Sequence, residues 1–347
     1  MAILEKKFTS TEYFIKYRVE PSQNNLRLDQ YLQNHFQSFS RQQIKKKIVS
    51  GQIKIIGRPF PHRPSTKVKE YEEVEITTKS SDLIDEKFFG EEIKLYSPNT
   101  LFENDKFIVI NKPPFMSTHP TGAHLFFCAT VFLEEQLGHK VYSIHRLDRE
   151  TSGAMILGKK PKVTSHYTEM FEERKVQKVY LLITHKNTDL NFPIIAKERL
   201  GDKTDFIPRN FHHCYPEESN EGKSAETHFH LVKEYPEFNI ILAFPKTGRQ
   251  HQIRAHAYHY GIYLLGDKLY NTDPMIFSRF KDGESLDTDK ENLIINRQAL
   301  HAYYLKFPNE NSYTAPIFSD LEEFLESKNI DVVKLNEELQ GYLKNIF

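Results

Sequence analysis

The chain has 347 residues, which is enough for one large and one small domain. Its 47 basic and 47 acidic residues cancel, so the overall charge does not by itself indicate a polyanionic partner. Cys128 and Cys214 lie far apart and fit no zinc-binding spacing, which excludes a disulfide framework and agrees with a reducing cytoplasm. No apolar run approaches the roughly 20 residues of a membrane span, so we expect a cytoplasmic protein without a membrane partner.

The charges are distributed unevenly along the chain. From Arg41 to Lys69 there are nine lysine and arginine residues and no acid, whereas residues 311–347 hold seven acids against three lysines. A solvated helix face is the usual explanation of a lysine run. A stretch without compensating acids nevertheless repels itself unless it meets an anion, and phosphate backbones are the commonest large partner of this kind.

The first predicted elements form a small α/β module over residues 24–80. Apolar residues at helical spacing predict an amphipathic helix over residues 26–36. A second helix is predicted to run to Ser50, and alternating isoleucine and valine residues predict strands at 53–55 and 74–76. The polar, acidic stretch 81–97 that follows is predicted to be a linker.

One face of the second helix is basic. Residues 26–32, 40–41 and 48–55 resemble the small RNA-binding domain named from ribosomal protein S-four, although residues 70–73 depart from its usual Gly-Asp turn. The basic face and this resemblance together predict RNA contacts by Arg41, Lys45, Lys46 and Lys47.

The region from residue 98 onward is predicted to contain many strands and few helices. Short apolar runs predict strands at 107–110, 141–144, 154–157, 179–183, 227–232 and 238–244. Helices are predicted at 162–175, after Pro161, and from Thr247 to Gly261, where Thr247 and Gln250 match a capping box. This pattern predicts an α+β fold with a mixed, mainly antiparallel sheet.

The polar segment 145–153 lies between two of these predicted strands and contains Asp148 between Arg146 and Arg149. An aspartate in this setting is by default a structural ion pair. If it is buried against arginine, its carboxylate stays ionised and acts as a nucleophile or base, not as an acid. On the last predicted helix, His251 and Arg254 share a face that suits an anion.

Five histidines, His145, His251, His256, His259 and His301, raise the alternative of a metal site. His251 and His256 diverge on a helix, and the chain has no HExxH segment. Phosphate-loop and dinucleotide motifs are also absent from the sequence. We therefore expect no metal and no cofactor.

Several motifs in order resemble the RluA family of RNA pseudouridine synthases. Residues 145–153 match its signature of HRLD, two variable residues and TSG. The other matching segments are 111–114, 178–180, 222–227, 247–254 with Gly266, Asp267 and Tyr270, and 300–302. Phe115 departs from the pattern, because the family usually has glycine there.

The resemblance implies a pseudouridine synthase fold with a central cleft over residues 98–325, followed by a tail, 326–347, without an assigned role. It implies that Asp148 breaks the glycosidic bond of a uridine, through a covalent adduct or a glycal, without a cofactor. Tyr180 would stack on the uracil and assist proton transfer, and Arg254 would pair with Asp148.

The same resemblance implies RNA contacts around the cleft. Arg146 would insert beside the extruded base, while Arg249, His251 and Gln252 would contact the RNA backbone or align the cleft walls. The expected partner is ribosomal RNA or tRNA, and we expect a monomer. The alternative is a catalytically inactive RNA-binding or ribosome-associated protein.

Overall fold

The computed structural model describes residues 2–9, 11–35, 41–79, 87–88, 91–120, 126–202, 211–273, 275–282, 284–308 and 311–346. It divides into two compact units. The first comprises Met1–Glu86 and His119–Lys140, and the second comprises Lys87–Thr118 and Val141–Phe347.

The first unit is a small antiparallel sheet with helices. Its elements are β1 (Ala2–Phe8), β2 (Glu12–Arg18), α1 (Leu28–His35), α2 (Arg41–Val49), β3 (Ile53–Ile55), β4 (Glu73–Lys79) and α3 (Ala129–Leu137), with a 3-10 turn at Pro21–Gln23. The strand order is β1-β2-β4-β3. The apolar faces of α1 and α2 pack on the sheet in one core, which explains their helical spacing of apolar residues.

The helices and strands predicted between residues 26 and 76 are confirmed within the described residues, and Gly51 has the left-handed backbone that ends α2. The sequence reasoning missed β1 and β2. Their signal was present, because Tyr13, Ile15 and Tyr17 alternate along β2 and are all buried.

The second unit is built on a ten-stranded sheet. Its strands are β7 (Asn99–Glu103), β8 (Phe107–Lys112), β9 (Tyr142–Ser143), β10 (Ser152–Gly158), β11 (Gln177–His185), β12 (Ile194–Ala196), β15 (Thr227–Glu234), β16 (Phe238–Pro245), β17 (Leu300–Lys306) and β18 (Ser312–Thr314). The main order is β12-β15-β16-β11-β17-β10-β8-β7, with β9 beside β10 and β18 beside β17. β10 and β17 are parallel, and the other pairs are antiparallel. The predicted α+β class with a mixed, mainly antiparallel sheet is confirmed.

Two short hairpins and six helices complete the described part of this unit. The hairpins are β5 (Lys87–Phe88) with β6 (Glu91–Glu92), and β13 (Arg199–Asp202) with β14 (His212–Tyr215). The helices are α4 (Pro161–Glu172), α5 (Gln252–His259), α6 (Ile276–Asp282), α7 (Asp287–Leu293), α8 (Ser319–Ser327) and α9 (Val332–Ile346). Among the described residues, no helix is long and apolar enough to cross a membrane.

Helices cover both faces of the central strands. One face packs against α8 and α9, so that Leu335, Leu339 and Leu343 are buried against β11 and β16. The opposite face packs against α5 through Ile253 and Ala257. Side chains alternate along a strand, so β11 sends Val179 into the first layer and presents Lys178 and Tyr180 on the α5 face.

Candidate active site

A cleft of about 430 Å3 opens on the α5 face of the sheet in the second unit. Its walls come from the segment before β10, the end of α4, the start of β11 and the turn that leads into α5. The lining residues include Asp148, Tyr180, Arg254, Arg146, Arg249, His251 and Gln252. The structure thus brings together all seven residues predicted for the cleft.

Asp148 is held by one of its two carboxylate oxygens. Arg254 Nη1 donates to Asp148 Oδ2 over 3.1 Å, and His251 Nε2 lies 4.0 Å from the same oxygen. Within the described residues, Oδ1 accepts no hydrogen bond, and the side chain of Asp148 keeps 22% of its surface exposed. The carboxylate is therefore oriented at one oxygen and available at the other.

Arg254 is held mainly by Asp267, a residue for which no role was predicted. Its Nε and Nη2 donate to the two oxygens of Asp267 at 2.6 and 2.8 Å. Asp267 is fully buried, and the ring of Tyr270 lies 5.0 Å from the Arg254 guanidinium. Asp267 and Tyr270 both lie in the matching segment that contains Arg254. The sequence therefore marked these positions but did not indicate that they contact Arg254.

The electrostatics of the cleft keep Asp148 charged. Burial acts to raise the pKa of Asp148, but His251, Arg254 and Arg146 together outweigh it and hold the pKa below the usual 3.8. Burial also lowers the pKa of His251 to about 4, and the nearby Arg254 adds to this shift. At neutral pH the site therefore contains a carboxylate beside a neutral imidazole.

The orientation of His251 is set by Tyr270. The Tyr270 hydroxyl accepts the backbone N–H of His212 at 2.9 Å and lies 3.3 Å from His251 Nδ1. A hydroxyl that accepts one hydrogen bond can donate to Nδ1, which places the proton of the neutral imidazole on Nε2. Nε2 is the atom that faces Asp148.

Tyr180 presents its ring to the cleft from β11, where it pairs with Ala243 on one side and Ala302 on the other. Burial raises the pKa of Tyr180, and the negative charge of Asp148 raises it further. Its hydroxyl is therefore protonated across the physiological pH range. Such a ring offers a stacking surface with a neutral hydrogen-bonding group at its edge.

The other predicted cleft residues differ in exposure and in the hydrogen bonds that their side chains make. Arg146 and Arg249 are exposed, and Arg249 Nε donates to the carbonyl of Ser224 at 3.0 Å. Gln252 is buried, and its amide makes four hydrogen bonds, to Thr247 Oγ1, Arg249 N, Glu226 O and Thr227 Oγ1. These bonds use the whole capacity of the amide, so Gln252 supports the wall of the cleft.

Known proteins resemble this chain over nearly its whole length. Ribosomal large subunit pseudouridine synthase C of Buchnera aphidicola subsp. Schizaphis graminum is 29% identical over 313 residues, covering 87% of this chain and 91% of that protein. Ribosomal large subunit pseudouridine synthase D of Vibrio vulnificus is 29% identical over 330 residues, covering 90% and 94%. Residues 106–259, which include Asp148, Tyr180 and Arg254, match the family model described as RNA pseudouridylate synthase.

The chain is an RNA pseudouridine synthase, and the family model and these relatives support the RluA family that its motifs resemble. It is an isomerase that acts on RNA. The alternative of a non-catalytic RNA-binding protein is not favoured. A human protein described as RNA pseudouridylate synthase domain containing 4 shares the fold, with a TM-score of 0.51 and 21% identity over 66% of this chain and 92% of that chain.

In this synthase the segment around Asp148 is anchored by two buried cations that the sequence reasoning did not single out. Lys112 is fully buried and donates to the carbonyls of Pro113, Met116 and Arg149. Arg297, also fully buried, donates to the carbonyl of Glu150 and to Ser152 Oγ. Burial, followed by the charge of Arg297, lowers the pKa of Lys112 well below its usual value.

Phe115 shows why the family usually has glycine at this position. Its backbone φ is +63°, in the left-handed region that L side chains avoid at a cost of about 1 kcal/mol. The synthase keeps this backbone with a buried ring, and the Arg149 guanidinium lies 5.4 Å from the ring centroid. Burial of the ring and this contact offset the strain.

The predicted start of the helix at Thr247 is wrong. α5 begins at Gln252, and the preceding residue, His251, has a φ of +55°. The Thr247 hydroxyl bonds to the side chain of Gln252 and accepts the backbone N–H of Glu226, so it joins the turn to the sheet. The capping box failed because tertiary partners compete for the same hydroxyl.

The basic residues predicted to contact RNA in the first unit lie on α2. Lys45 and Lys46 are exposed, and neither has an acidic partner in the described part of the chain. Arg41 Nη2 lies 3.7 Å from Asp29 Oδ2, and Lys47 donates to Gln52 at 3.0 Å. Acids outside the basic stretch therefore neutralise part of it, and Lys45 and Lys46 carry its uncompensated charge on this helix.

The histidines considered as metal ligands have other partners. His145 accepts the backbone N–H of Ile156, His256 bonds Thr227 and Glu198, and His301 bonds Ser152 and Ala315. The described residues contain no group of three histidine, cysteine or acidic side chains arranged to hold a metal ion.

Proposed function

We propose that this synthase isomerises one or a few uridines of the large-subunit ribosomal RNA. The support is the relatives named as ribosomal large subunit synthases, which match 87% and 90% of this chain. The proposed site rests on one observation, that Asp148 lines the cleft and is held at Oδ2 by Arg254, while Oδ1 accepts no hydrogen bond from the described residues.

Asp148 acts as the carboxylate that cleaves the C1′–N1 bond. Because Arg254 holds Oδ2, Oδ1 is the oxygen that attacks C1′ or removes a ribose proton in the glycal route. The uracil then rotates and C5 bonds to C1′, while the Asp148–C1′ bond of the adduct breaks or, in the glycal route, the ribose regains the proton that Asp148 removed. The C5 proton then leaves and N1 gains a proton. The low pKa of Asp148 keeps it ionised for the first step at neutral pH.

Tyr180 retains the free uracil during this rotation. Stacking of a base on an aromatic ring contributes about 1–3 kcal/mol and does not depend on which edge of the base faces the protein. The high pKa of Tyr180 means that its hydroxyl relays a proton only by giving one up as it receives another. Stacking on the Tyr180 ring therefore lets the uracil rotate while it stays in the cleft.

The exposed basic residues around the cleft bind the RNA strand. Arg146, two residues before Asp148, inserts beside the extruded nucleotide, and Arg249 and His251 contact the RNA backbone. Gln252 aligns the wall that carries them, since its amide is fully occupied within the protein. No step of the reaction requires a metal or a cofactor.

The first unit binds a neighbouring RNA stem as an S-four-type domain over residues 24–80, with 81–97 as the linker to the catalytic domain, 98–325. Arg41, Lys45, Lys46 and Lys47 on α2 supply phosphate contacts. We also propose that the protein is a cytoplasmic monomer, since Cys128 and Cys214 form no disulfide in the described part of the chain, which suits a reducing compartment.

Mapping every pseudouridine of ribosomal RNA by mass spectrometry after carbodiimide labelling tests this function. Cells lacking the gene should lose one or a few large-subunit sites, and wild-type protein should restore them. Asp148→Asn should not restore them although it keeps the shape of the side chain. Asp189→Asn, an exposed aspartate outside the cleft, serves as the control and should restore every site.

An unchanged map would contradict the proposed substrate. If pseudouridines are lost from tRNA instead of ribosomal RNA, the substrate is tRNA, and the proposed role of Asp148 is unaffected. Full restoration by Asp148→Asn would remove Asp148 from the chemistry.

A further inference from the structure

The cleft extends beyond Asp148 and Tyr180 to a second group of basic side chains. Arg174, which follows α4, and Lys178, at the start of β11, line the same cleft as Arg146 and Arg249. Glu172 is the acidic side chain on this wall. In the part of the chain that the structure describes, none of the four basic residues forms an ion pair with an acid.

Lys178 is placed close to the uracil-stacking ring. Lys178 and Tyr180 are two residues apart on β11 and share one face, which separates their Cα atoms by about 7 Å. Lys178 Nζ donates to the carbonyl of Thr247 at 3.0 Å, and an ammonium group retains two further N–H donors. A Cβ added at Gly248 would lie 4.0 Å from Nζ, so the turn leaves room beside the amine.

Arg174 has a left-handed backbone conformation. Its φ is +60°, a conformation in which glycine or asparagine costs least, and its N–H donates to the carbonyl of Phe171 as α4 ends. Burial of Lys178, followed by the positive charge of Arg174, lowers the pKa of Lys178 to about 8. Two neighbouring cations that repel each other, and that form no ion pair with an acid among the described residues, are stabilised when an anion binds between them.

We propose that Lys178 and Arg174 form a subsite for the phosphate adjoining the target uridine. The anion is a phosphodiester of the RNA strand, because the subsite lies on the same cleft wall as the ring that would stack the uracil. This inference rests on the proposed function and names the contact that holds the nucleotide in register with Asp148.

Calorimetric titration of the full chain with uridine 3′,5′-bisphosphate and with uridine tests the subsite. The wild type should bind the bisphosphate more tightly than uridine. Lys178→Gln, which can still donate to Thr247, and Arg174→Asn, which tolerates the left-handed backbone, should each weaken bisphosphate binding about tenfold and leave uridine binding unchanged. Glu172→Gln should strengthen bisphosphate binding, because it removes the acid from this wall.

Lys175→Gln is the matched control, since Lys175 lies in the same segment outside the cleft lining and pairs with Glu173 at 2.6 Å. Its bisphosphate affinity should equal that of the wild type. Thermal unfolding of each variant separates loss of binding from loss of fold, and a destabilised Lys178→Gln leaves Arg174→Asn as the deciding variant.

Equal bisphosphate affinity in the wild type and in both variants would overturn the subsite. If pseudouridine formation by the wild type still depends on Asp148, the proposed function survives that result. If the wild type binds the bisphosphate no more tightly than uridine, the subsite is also wrong. Absence of both nucleotide binding and pseudouridine formation would remove the two proposals together.

Discussion

At the scale of single residues, the charge of Asp148, the candidate nucleophile, depends on how Arg254 divides its hydrogen bonds between Asp148 and Asp267. Arg254 gives two hydrogen bonds to Asp267 and one to Asp148. The pairing of Arg254 with Asp148 was predicted from the sequence, because both positions lie in matching motifs. The pairing with Asp267 was not, since nothing in linear spacing tells which carboxylate takes the bidentate contact.

Asp267→Asn should lower both stability and the pH at which activity is lost. The change leaves Arg254 buried with fewer acceptors, so the free energy of unfolding should fall by about 3 kcal/mol. Asp148 would then have Arg254 to itself and would lose a neighbouring negative charge, so its pKa should fall further. Because the reaction needs the carboxylate, the acid limb of kcat should move to lower pH.

Single-turnover rates measured from about pH 3 to pH 6 check this shift. Asp273→Asn is the control, because it also breaks an aspartate–arginine pair, with Arg279, but lies outside the cleft lining. Its acid limb should stay with that of the wild type. An unmoved limb in Asp267→Asn would mean that Asp267 acts on folding alone.

At the scale of elements, the sequence predicted six of the ten strands of the main sheet but could not show how they pair. Asp148 sits just before β10, and β10 is positioned by its parallel pairing with β17 at Ser152↔His301 and Gly153↔Ala302. Apolar runs predict that β10 exists, whereas its neighbour comes from about 150 residues later in the chain. Ser152 and Gly153 belong to the polar segment that was predicted to lie between two strands, but they take part in this pairing.

Gly153→Ala should disrupt this pairing and the nearby site. Gly153 has a φ of +115°, and an added Cβ would lie 2.3 Å from the carbonyl oxygen of Ala302. The clash with backbone cannot be relieved by a side-chain movement, so we expect a loss on the order of 3 kcal/mol in the free energy of unfolding and a lower kcat. Gly138→Ala is the control, since Gly138 has a φ of +70° and nothing within 4 Å of the added Cβ. It should cost about 1 kcal/mol, and a similar small cost at Gly153 would contradict the argument.

At the scale of the whole molecule, a count along the sequence overestimates the free basic charge of the first unit. The stretch from Arg41 to Lys69 contains no acid, yet Arg41 lies near Asp29 and Arg58 donates to Glu72 at 2.7 Å. Folding brings in acids that a sequence window leaves out. The C-terminal stretch shows the same limit. Val332, Leu335 and Leu339 recur at helical spacing in the sequence, but the sequence does not show that they are buried against the sheet.

Lys45 and Lys46 should account for most of the salt dependence that α2 contributes to RNA binding. Each phosphate contact that is lost should reduce the slope of log affinity against log salt by about 0.7 to 0.9, so replacing both lysines with glutamine should flatten it by about 1.5. Affinity for the RNA substrate, measured by fluorescence anisotropy over a salt series, checks the slope. Lys7→Gln is the control, because Lys7 is exposed on β1 but pairs with Glu5 at 2.5 Å, and its slope should match the wild type. Since neither lysine lies in the cleft, kcat at saturating RNA should stay unchanged. A lower kcat with an unchanged salt slope would contradict RNA binding by α2.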